Sequence, residues 1–363
     1  MSEELVALTK RLIGYDTSSP EAVSEVAGIV KGWLEARRIE AARDEVRGLP
    51  VIRAEVGPGG APTVVLHGHL DVVPGRAGQF DPRVEGDRLY GRGAYDMKGA
   101  LAAMLLTTAA MRDQDGVRVR LGIVGDEESE EEVERGSDHL VDSGFIGDFA
   151  ITGEPTDLHI GVEAKGVLAV RLEVSGTAAH GATPWLGDNA VLAALDVFRS
   201  IESLPFARHS SELFDRPSIN LGRIWGGDAL NKVPDRCVID VDIRYLPDQD
   251  PVSILDEVRG IAGTEVKPLF TRPPAVVDRD SPFVLGLREA AASHHSGEQQ
   301  LSVGRDGASD AVSFLRVGVP AVEFGPVGEG HHGPEEWVSI SSLESYRQSL
   351  DSFLRAIPSQ IDD

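Results

Sequence analysis

Two histidines and an aspartate stand at the end of a short apolar run. The segment VVLHGHLDVVPG, residues 64–75, contains His67, His69 and Asp71. Imidazole nitrogens and carboxylate oxygens are the ligands that zinc and related divalent cations take in proteins. The alternative is a strand end facing water, where a single histidine is more often hydrogen-bonded than a ligand. The segment alone leaves both interpretations open.

Similar groups follow other apolar runs of the chain. They are GDEE (125–128), GEP (153–155) and EGHHGPEE (329–336), with Asp96 just before an apolar helical segment. In open α/β sheets, ligands gather at the carboxyl ends of the strands. Each group alone has a structural explanation, such as a solvated acidic face for DEESEEEVE or a helix N-cap for Asp96. Their coincidence at strand ends predicts one shared site.

A two-metal hydrolytic site accounts for these residue types. Two metal ions about 3.5–4 Å apart take a bridging carboxylate, with histidine and carboxylate ligands for each ion. The residues that fit are His69, Asp96, Glu128, Glu154 and His332. Glu127, beside Glu128, is placed to accept a proton from the attacking water. Asp71 lies two residues beyond His69, on the same side of an extended segment, and can accept the other ring N–H of that histidine.

The elements that position these residues alternate between strand and helix patterns. VIRAEV (51–56) and TVVLHG (63–68) are typical of strands, and MKGALAAMLLTTAAM (97–111) predicts an apolar helix against the sheet. Strands that begin at 117 and 149 end in acidic residues. This alternation predicts an α/β fold with a parallel or mixed sheet.

The pattern changes between residues 166 and 273. VLAVRLEVSG (167–176) and DRCVIDVDIRYLP (235–247) alternate strictly, as strands exposed on one face do. Helices are predicted between and after them, and the earlier pattern then returns. We therefore expect an α/β domain in two parts, 1–165 and 274–363, with a small α+β domain, 166–273, inserted between them.

Charge and cysteine content narrow the class of protein. The chain has 363 residues and a formal net charge of −24, which disfavours binding to phosphate backbones. The single cysteine, Cys237, excludes an intrachain disulfide and fits a reducing compartment. The start has no signal-peptide pattern, and no apolar run approaches the roughly 18 residues of a membrane span. We expect a cytoplasmic protein without nucleic-acid or membrane partners.

The motifs resemble, in order, the motif series of the M20 metallopeptidase family. GHLDVVP, GRGAYDMKG, DEE, GEPT and a late H-x-P-x-E carry the resemblance, which runs from about residue 5 to residue 356. It implies a zinc-peptidase-like catalytic domain of mixed-sheet α/β class with an inserted lid and dimerisation domain. It also implies two Zn²⁺ per chain, with Co²⁺ or Mn²⁺ as substitutes, and a homodimer formed through the lid domain.

Residue by residue, the resemblance implies specific roles. It assigns the metal ligands to His69, Asp96, Glu128, Glu154 and His332, with Asp96 as the bridge. Glu127 matches the general base, and Asp71 matches the aspartate behind the first histidine. Glu335 stands where the family commonly has asparagine, so His331 competes with His332 as ligand.

The inserted region resembles the family's lid domain. GTAAHGATPWLGDNAV (176–191) implies that His180 reaches the active site of a neighbouring subunit and stabilises an oxyanion. LNKVPD and DIRYLP imply substrate contacts by Asn231 and Arg244. For Arg244, an ion pair within its own strand, to Asp240 or Asp242, is the competing interpretation.

The stretch GRDGASDAVSFL (304–315) resembles the family's glycine-rich segment. It implies that Gly307 lets the backbone approach a substrate carboxylate and that Ser309 contacts the substrate. The alternative for Ser309 is an ordinary helix N-cap.

The chain length and the residues of the GRGAYDMKG and GEPT motifs most resemble those of the deacetylase and desuccinylase branch of the family. This implies removal of an N-acyl group, acetyl or succinyl, from a small amino acid such as ornithine or diaminopimelate. A dipeptidase or carboxypeptidase is the alternative, because both reactions cleave an amide bond. A non-catalytic amino-acid-binding relative is a weaker alternative, because such a protein needs no base beside two metals.

Overall fold

The computed structural model describes residues 3–129, 134–261, 264–295 and 302–357. The helices are α1 (Glu3–Ile13), α2 (Pro20–Glu35), α3 (Gly99–Met111), α4 (Gly136–Asp142), α5 (Ala190–Ile201), α6 (Pro251–Arg259), α7 (Pro282–His294), α8 (Ala311–Leu315) and α9 (Ile340–Ala356). The strands are β1 (Ala41–Val46), β2 (Leu49–Val56), β3 (Thr63–His69), β4 (Arg83–Glu85), β5 (Arg88–Tyr90), β6 (Arg118–Val124), β7 (Phe149–Thr152), β8 (Ile160–Ala164), β9 (Gly166–Ser175), β10 (Ser218–Gly226), β11 (Arg236–Tyr245), β12 (Thr264–Arg272), β13 (Ala275–Val276), β14 (Ser302–Arg305), β15 (Ala321–Glu323), β16 (Gly328–Glu329) and β17 (Trp337–Ser339).

The chain divides into two compact units. The first unit comprises Met1–Val162, Val277–Val303 and Asp310–Asp363, and the second comprises Glu163–Val276 and Gly304–Ser309. The boundaries expected from the sequence, 166 and 273, fall a few residues inside the second unit. A lid or dimerisation role for that unit stays a prediction.

A mixed sheet forms the centre of the first unit. Its strand order is β1-β2-β6-β3-β7-β15-β8-β13, and β14 also pairs with β8. The four central strands, β6, β3, β7 and β15, are parallel to one another. Strands β2 and β8 flank them in antiparallel orientation. The predicted mixed α/β fold is thereby confirmed.

Burial explains why the central strands and α3 lack polar faces. Val64, Val65 and Leu66 of β3 are fully buried, as are Leu101 and Met104 of α3. A parallel strand covered on both faces needs such a continuous apolar run. The described part of the chain contains no helix with the length and apolar character of a membrane span.

Helix α3 begins two residues later than the sequence pattern predicts. Asp96 and Met97 have non-helical backbone angles, and the helix starts at Gly99. Asp96 is therefore not an N-cap. The non-helical turn before α3 therefore places Asp96 outside the helix.

A second, small sheet in the first unit has the order β16-β17-β5-β4. The connection between β16 and β17 contains His331 and His332, and β5 leads into the turn with Asp96. Because β17 pairs with β5, these two segments are held next to each other.

The second unit contains a four-stranded antiparallel sheet of order β10-β11-β9-β12. Its buried core includes residues from β9, β11, α5 and α6, among them Leu172, Ile239, Ile201 and Ile254. Strand β10 lies at an edge and most of its residues are exposed. The strict alternation expected for β9 and β11 is present only in part, because residues 166–170 of β9 and 239–241 of β11 are buried without interruption.

The close packing after β15 generates a stability prediction. A Cβ atom at Gly325 would lie 2.2 Å from the backbone oxygen of Glu154. Since backbone has to move, we expect Gly325→Ala to lower the free energy of unfolding by about 1–3 kcal/mol in denaturant titrations. Gly28→Ala is the control, because an added Cβ in α2 meets nothing within 4 Å. That control should be neutral or stabilise by roughly 0.5–1 kcal/mol. Equal unfolding midpoints for Gly325→Ala and wild type would contradict the prediction.

Candidate metal centre

A cluster of histidines and carboxylates lies where the parallel strands of the first unit end. Strand β3 ends at His69, β6 leads into Glu127 and Glu128, and β7 leads into Glu154. Carboxyl ends of neighbouring parallel strands meet at one sheet edge, where open α/β sheets bind ligands. The strand order of this sheet therefore places these residues at one edge, where the sequence analysis expects them to converge.

Asp96 lies at the centre of the cluster. One oxygen, Oδ1, is 3.1 Å from Nε2 of His69. The other, Oδ2, is 2.5 Å from Nε2 of His331 and 3.2 Å from Nε2 of His332. His332 also lies 3.0 Å from Oε1 of Glu128. A carboxylate whose two oxygens face different histidines has the arrangement that a bridging ligand needs.

Three overlapping groups could each hold a metal ion, since their ligand atoms lie within 4.8 Å of one another. The groups are His69, Asp96 and Glu154; His69, Glu127 and Glu128; and Asp96, His331 and His332. The five expected ligands thus occur together, with Glu127 among them. His331 reaches Asp96 as well, whereas His332 contacts both Asp96 and Glu128.

The hydrogen bonds of His69 define which ring nitrogen can bind a cation. Its Nδ1 lies 2.9 Å from the backbone oxygen of Asp71. A carbonyl oxygen only accepts, so Nδ1 carries the proton and Nε2 of the neutral ring has a lone pair. That Nε2 is the atom facing Asp96 and, at 3.9 Å, Glu154. His69 is therefore oriented as a ligand.

The carboxylate of Asp71 has a different main contact from the one the sequence suggests. Its Oδ1 is 3.5 Å from Nδ1 of His69, farther than the backbone oxygen of the same residue. Its Oδ2 accepts a 2.8 Å hydrogen bond from the backbone N–H of Glu128. Asp71 thus supports both the histidine and the acidic segment after β6.

The acidic members of the cluster have perturbed pKa values. Burial raises the pKa of Glu127 to about 8, partly offset by His69. Burial, together with the charges of Asp96 and Glu127, raises the pKa of Glu154 well above its ordinary value. Burial alone would raise the pKa of Asp96 too, but hydrogen bonds with the surrounding histidines hold it well below its usual range. The cluster therefore holds more carboxylate than its histidines can neutralise.

The histidine pKa values shift in the complementary direction. Hydrogen bonds with Asp96 and Glu128 raise the pKa of His332 to about 10. Burial lowers the pKa of His69, but hydrogen bonds with Asp71 and Asp96 outweigh it and raise that pKa well above the ordinary value. A cation bound among these groups replaces the protons and neutralises the acids. The donor set of imidazole nitrogen and carboxylate oxygen fits a divalent metal such as zinc.

Glu336 and Arg92 form a buried support that sequence reasoning missed. Oε1 of Glu336 accepts hydrogen bonds from the backbone N–H groups of Tyr95, at 3.0 Å, and Asp96, at 3.1 Å. Its Oε2 lies 2.6 Å from Arg92, which also donates to the backbone oxygen of His332 at 3.0 Å. The acidic end of H-x-P-x-E was the available signal. This pair fixes the two turns that carry Asp96 and His332.

Five predicted functional residues belong to the second unit: His180, Asn231, Arg244, Gly307 and Ser309. Gly181 N–H donates to the backbone oxygen of Asn231 at 2.7 Å, which brings the His180 and Asn231 segments together. The His180 ring accepts a 3.0 Å hydrogen bond at Nδ1 from Ala182 N–H.

The remaining residues of that unit show mixed environments. Nε of Arg244 lies 2.9 Å from Asp242, so the in-strand ion pair considered above is present. Gly307 is exposed, and Ser309 is buried with its backbone oxygen accepting from Arg272. Asp310, not Ser309, occupies the N-cap position of α8. Substrate contacts by these residues stay predictions.

Comparison with known proteins identifies the family. The model for peptidase family M20/M25/M40 matches residues 65–356. The chain belongs to this family. A succinyl-diaminopimelate desuccinylase of Gluconobacter oxydans is 30% identical over 371 aligned residues, 96% of each chain. Another, from Methylobacterium radiotolerans, is 31% identical over 335 residues, 84% of each chain.

The fold comparison agrees with the family. The structure of an M20 family metallo-carboxypeptidase from Sulfolobus solfataricus has a TM-score of 0.80 at 23% identity and covers 99% of this chain and 100% of that one. The family indicated by the sequence motifs and the predicted fold class are confirmed. The protein is an M20-family hydrolase of amide bonds, and the family uses metal ions and acts on small peptides or acyl amino acids.

The raised pKa values predict that metal binding and proton release are linked. In the metal-free protein the pKa of His332, about 10, keeps that ring protonated near neutral pH, and the raised pKa of Glu154 favours its protonated form. Both groups must lose their protons to bind a cation. We expect Zn²⁺ binding to release protons and to strengthen as the pH rises from about 6 to about 8. Isothermal titration calorimetry in two buffers of different ionisation enthalpy measures this release. A binding heat independent of the buffer would contradict it.

Proposed function

We propose that the chain is a two-zinc amidohydrolase that removes an acetyl or succinyl group from a small amino acid such as ornithine or diaminopimelate. The observation that carries this proposal is Asp96, with its two oxygens facing histidines from different segments and the half-buried Glu127 in the same cluster. Identity of about 30% to desuccinylases over most of the chain favours the succinyl substrate. Co²⁺ or Mn²⁺ are expected substitutes for zinc.

The ligands divide into two sets that share Asp96. His69 and Glu154 complete one set, and Glu128 and His332 complete the other. We prefer His332 to His331 because His332 contacts both Asp96 and Glu128. Bound there, the two cations would polarise the amide carbonyl and increase the acidity of a nearby water.

Glu127 is the proposed general base. Its carboxylate accepts a proton from the attacking water and returns it to the nitrogen of the leaving amine. Burial raises the pKa of this carboxyl, so its ionised form has a higher proton affinity than an exposed glutamate has. Asp71 keeps the adjacent Glu128 N–H and the His69 ring in place.

His180 is suited to donate a hydrogen bond to an oxyanion. Because Nδ1 accepts from Ala182 N–H, the neutral ring carries its proton on Nε2. The residue is exposed on the second unit. We propose that its Nε2–H serves the active site of a second copy of the chain.

Exposed apolar side chains support a homodimer through the second unit. Trp185 is 75% exposed, Leu192 61% and Trp225 48%, and Trp225 lies on the edge strand β10. Edge strands and contiguous apolar residues are typical sites of association between chains. A second copy that covers them would also bring His180 to its partner.

Arg244 remains a candidate for a substrate carboxylate. Asp242 is bonded through Nε of the guanidinium, and a guanidinium offers a second pair of N–H donors at its end. In this proposal Asp242 orients Arg244, while Asn231, Gly307 and Ser309 contribute further substrate contacts.

A dipeptidase or carboxypeptidase is the second candidate function. The likeness to the fold of the S. solfataricus metallo-carboxypeptidase supports it, since the metal chemistry of both reactions is the same. A proposed base beside the proposed metal ligands disfavours a purely amino-acid-binding role, because binding alone needs no base. The single cysteine, buried and without a disulfide, supports a cytoplasmic location.

A substrate panel tests the proposed function. We expect zinc-loaded protein to release succinate from N-succinyl-diaminopimelate faster than acetate from N-acetyl-ornithine, and to cleave dipeptides least. The measurement is kcat/KM for each compound. Dipeptides as the best substrates would replace the first candidate by the second, and binding without turnover would favour a non-catalytic relative.

Glu127→Gln is the matched control for the panel, because it keeps the size of the side chain. We expect turnover to fall by about 10²–10⁴-fold, the range for loss of a general base, with metal content unchanged. Retained turnover with full metal content would exclude Glu127 as the base.

Mixing two inactive variants tests the role of His180. If His180 acts across the dimer and Glu127 within its own chain, a heterodimer of His180→Ala and Glu127→Gln has one intact site. After subunit exchange of an equal mixture, we expect roughly one quarter of wild-type activity. Activity no higher than the mean of the two separate variants would exclude the contribution across the interface.

A further inference from the structure

The peptide group between Glu127 and Glu128 is held at both ends by charged side chains. Its carbonyl oxygen accepts a 3.1 Å hydrogen bond from Nη1 of Arg135. Its N–H donates to Oδ2 of Asp71 at 2.8 Å. The two residues that this peptide joins are the proposed base and a proposed metal ligand. Rotation of the peptide plane would therefore move both carboxylates at once.

Arg135 is itself anchored. Its Nη2 donates to the backbone oxygen of Ser129 at 3.3 Å, and its Nη1 lies 3.6 Å from Oδ1 of Asp310. Arg135 is 6% exposed and Asp310 2%. A buried guanidinium of this kind needs a countercharge, and Asp310 supplies it.

Asp310 is fixed by a further buried contact. Its Oδ2 accepts from the hydroxyl of Ser137, and that hydroxyl also lies 3.0 Å from Nε2 of His67. His67 packs edge-on against Phe314 with 5.6 Å between ring centroids. Strand β3, helix α4 and helix α8 are thereby joined behind the acidic segment.

We propose that Arg135, held by Asp310, is a positioning residue that sets the direction of the Glu127 carboxylate. This rests on the proposed role of Glu127 as the base. Two opposed charged groups restrain the peptide plane, so the Cα–Cβ directions of Glu127 and Glu128 are fixed before substrate binds. Displacement of a catalytic group by about 1 Å can cost 10²-fold in rate.

The planar fork of arginine is required for this role. It donates to two backbone carbonyls, those of Glu127 and Ser129, while it faces Asp310. A lysine ammonium is a point charge on a flexible stem and does not reproduce the fork. Replacing Arg135 by lysine should keep the charge and lose the restraint.

The experiment compares Arg135→Lys with wild type in zinc-loaded and cobalt-loaded protein. We expect kcat to fall by about 10- to 100-fold with little change in KM, as for loss of groups that orient metal ligands. Because Glu128 moves with the same peptide, the visible absorption spectrum of bound Co²⁺ should shift while the bound cobalt per chain stays the same. Wild-type kcat together with a wild-type cobalt spectrum would overturn the proposal.

A second variant guards against a folding defect. Asp310→Asn keeps an acceptor for Ser137 but removes the countercharge of Arg135, and it should give the same kcat decrease and spectral shift. Lower thermal stability with unchanged kcat and spectrum in both variants would reduce Arg135 to a structural role and overturn the proposal.

The matched control is Arg316→Met. Arg316 follows α8 and pairs with Asp142 of α4 at 2.6 Å, so it joins the same two helices at the surface. We expect this variant to keep kcat and the cobalt spectrum. Turnover retained by Glu127→Gln would overturn the proposed function instead, and the cobalt spectra would then still test the restraint on the peptide.

Discussion

Desolvation and mutual repulsion of crowded carboxylates are the constraint on which the rest of the first unit depends. Four acids converge at the strand ends: Asp96, Glu127, Glu128 and Glu154. Burying an uncompensated charge costs several kcal/mol, so some of these groups keep their protons and their pKa values rise. Histidines neutralise only part of the charge. Divalent cations bound among these groups would supply the missing positive charge, so the donor set fits a metal centre.

A second set of acidic side chains accepts hydrogen bonds from backbone N–H groups near the cluster. Glu336 accepts hydrogen bonds from the backbone N–H groups of Tyr95 and Asp96. Asp71 accepts a hydrogen bond from the backbone N–H of Glu128. Each of these bonds restrains the turn that carries a ligand. Asp96 and Glu128 are therefore restrained through their backbone, and their side-chain oxygens face the histidines of the cluster.

Spacing along the chain predicts the ligands but not the groups that hold them. His69 and Asp71 follow an apolar strand, and the acidic pair after β6 follows another, so parallel strand order is enough to bring them together. Arg135 and Glu336 act through contacts formed only in the folded chain, across 8 and 240 residues respectively. No local hydrophobic periodicity or motif spacing in the sequence identifies such residues. The choice between adjacent histidines likewise depends on a turn, in which His332 has a positive φ of 58°.

The division into units explains why reaction class is easier to infer than substrate. Cleavage of an N-acyl amino acid and of a dipeptide needs the same metal ligands and base, and the candidates for these roles lie in the first unit. In the proposed function, selectivity comes from groups that contact the remainder of the substrate, and the proposed groups Asn231 and Arg244 belong to the second unit. Arg244 already pairs with Asp242, so its value for recognition depends on whether a substrate carboxylate can use the other edge of its guanidinium. Changes in that strand can alter the substrate while the metal centre keeps its chemistry.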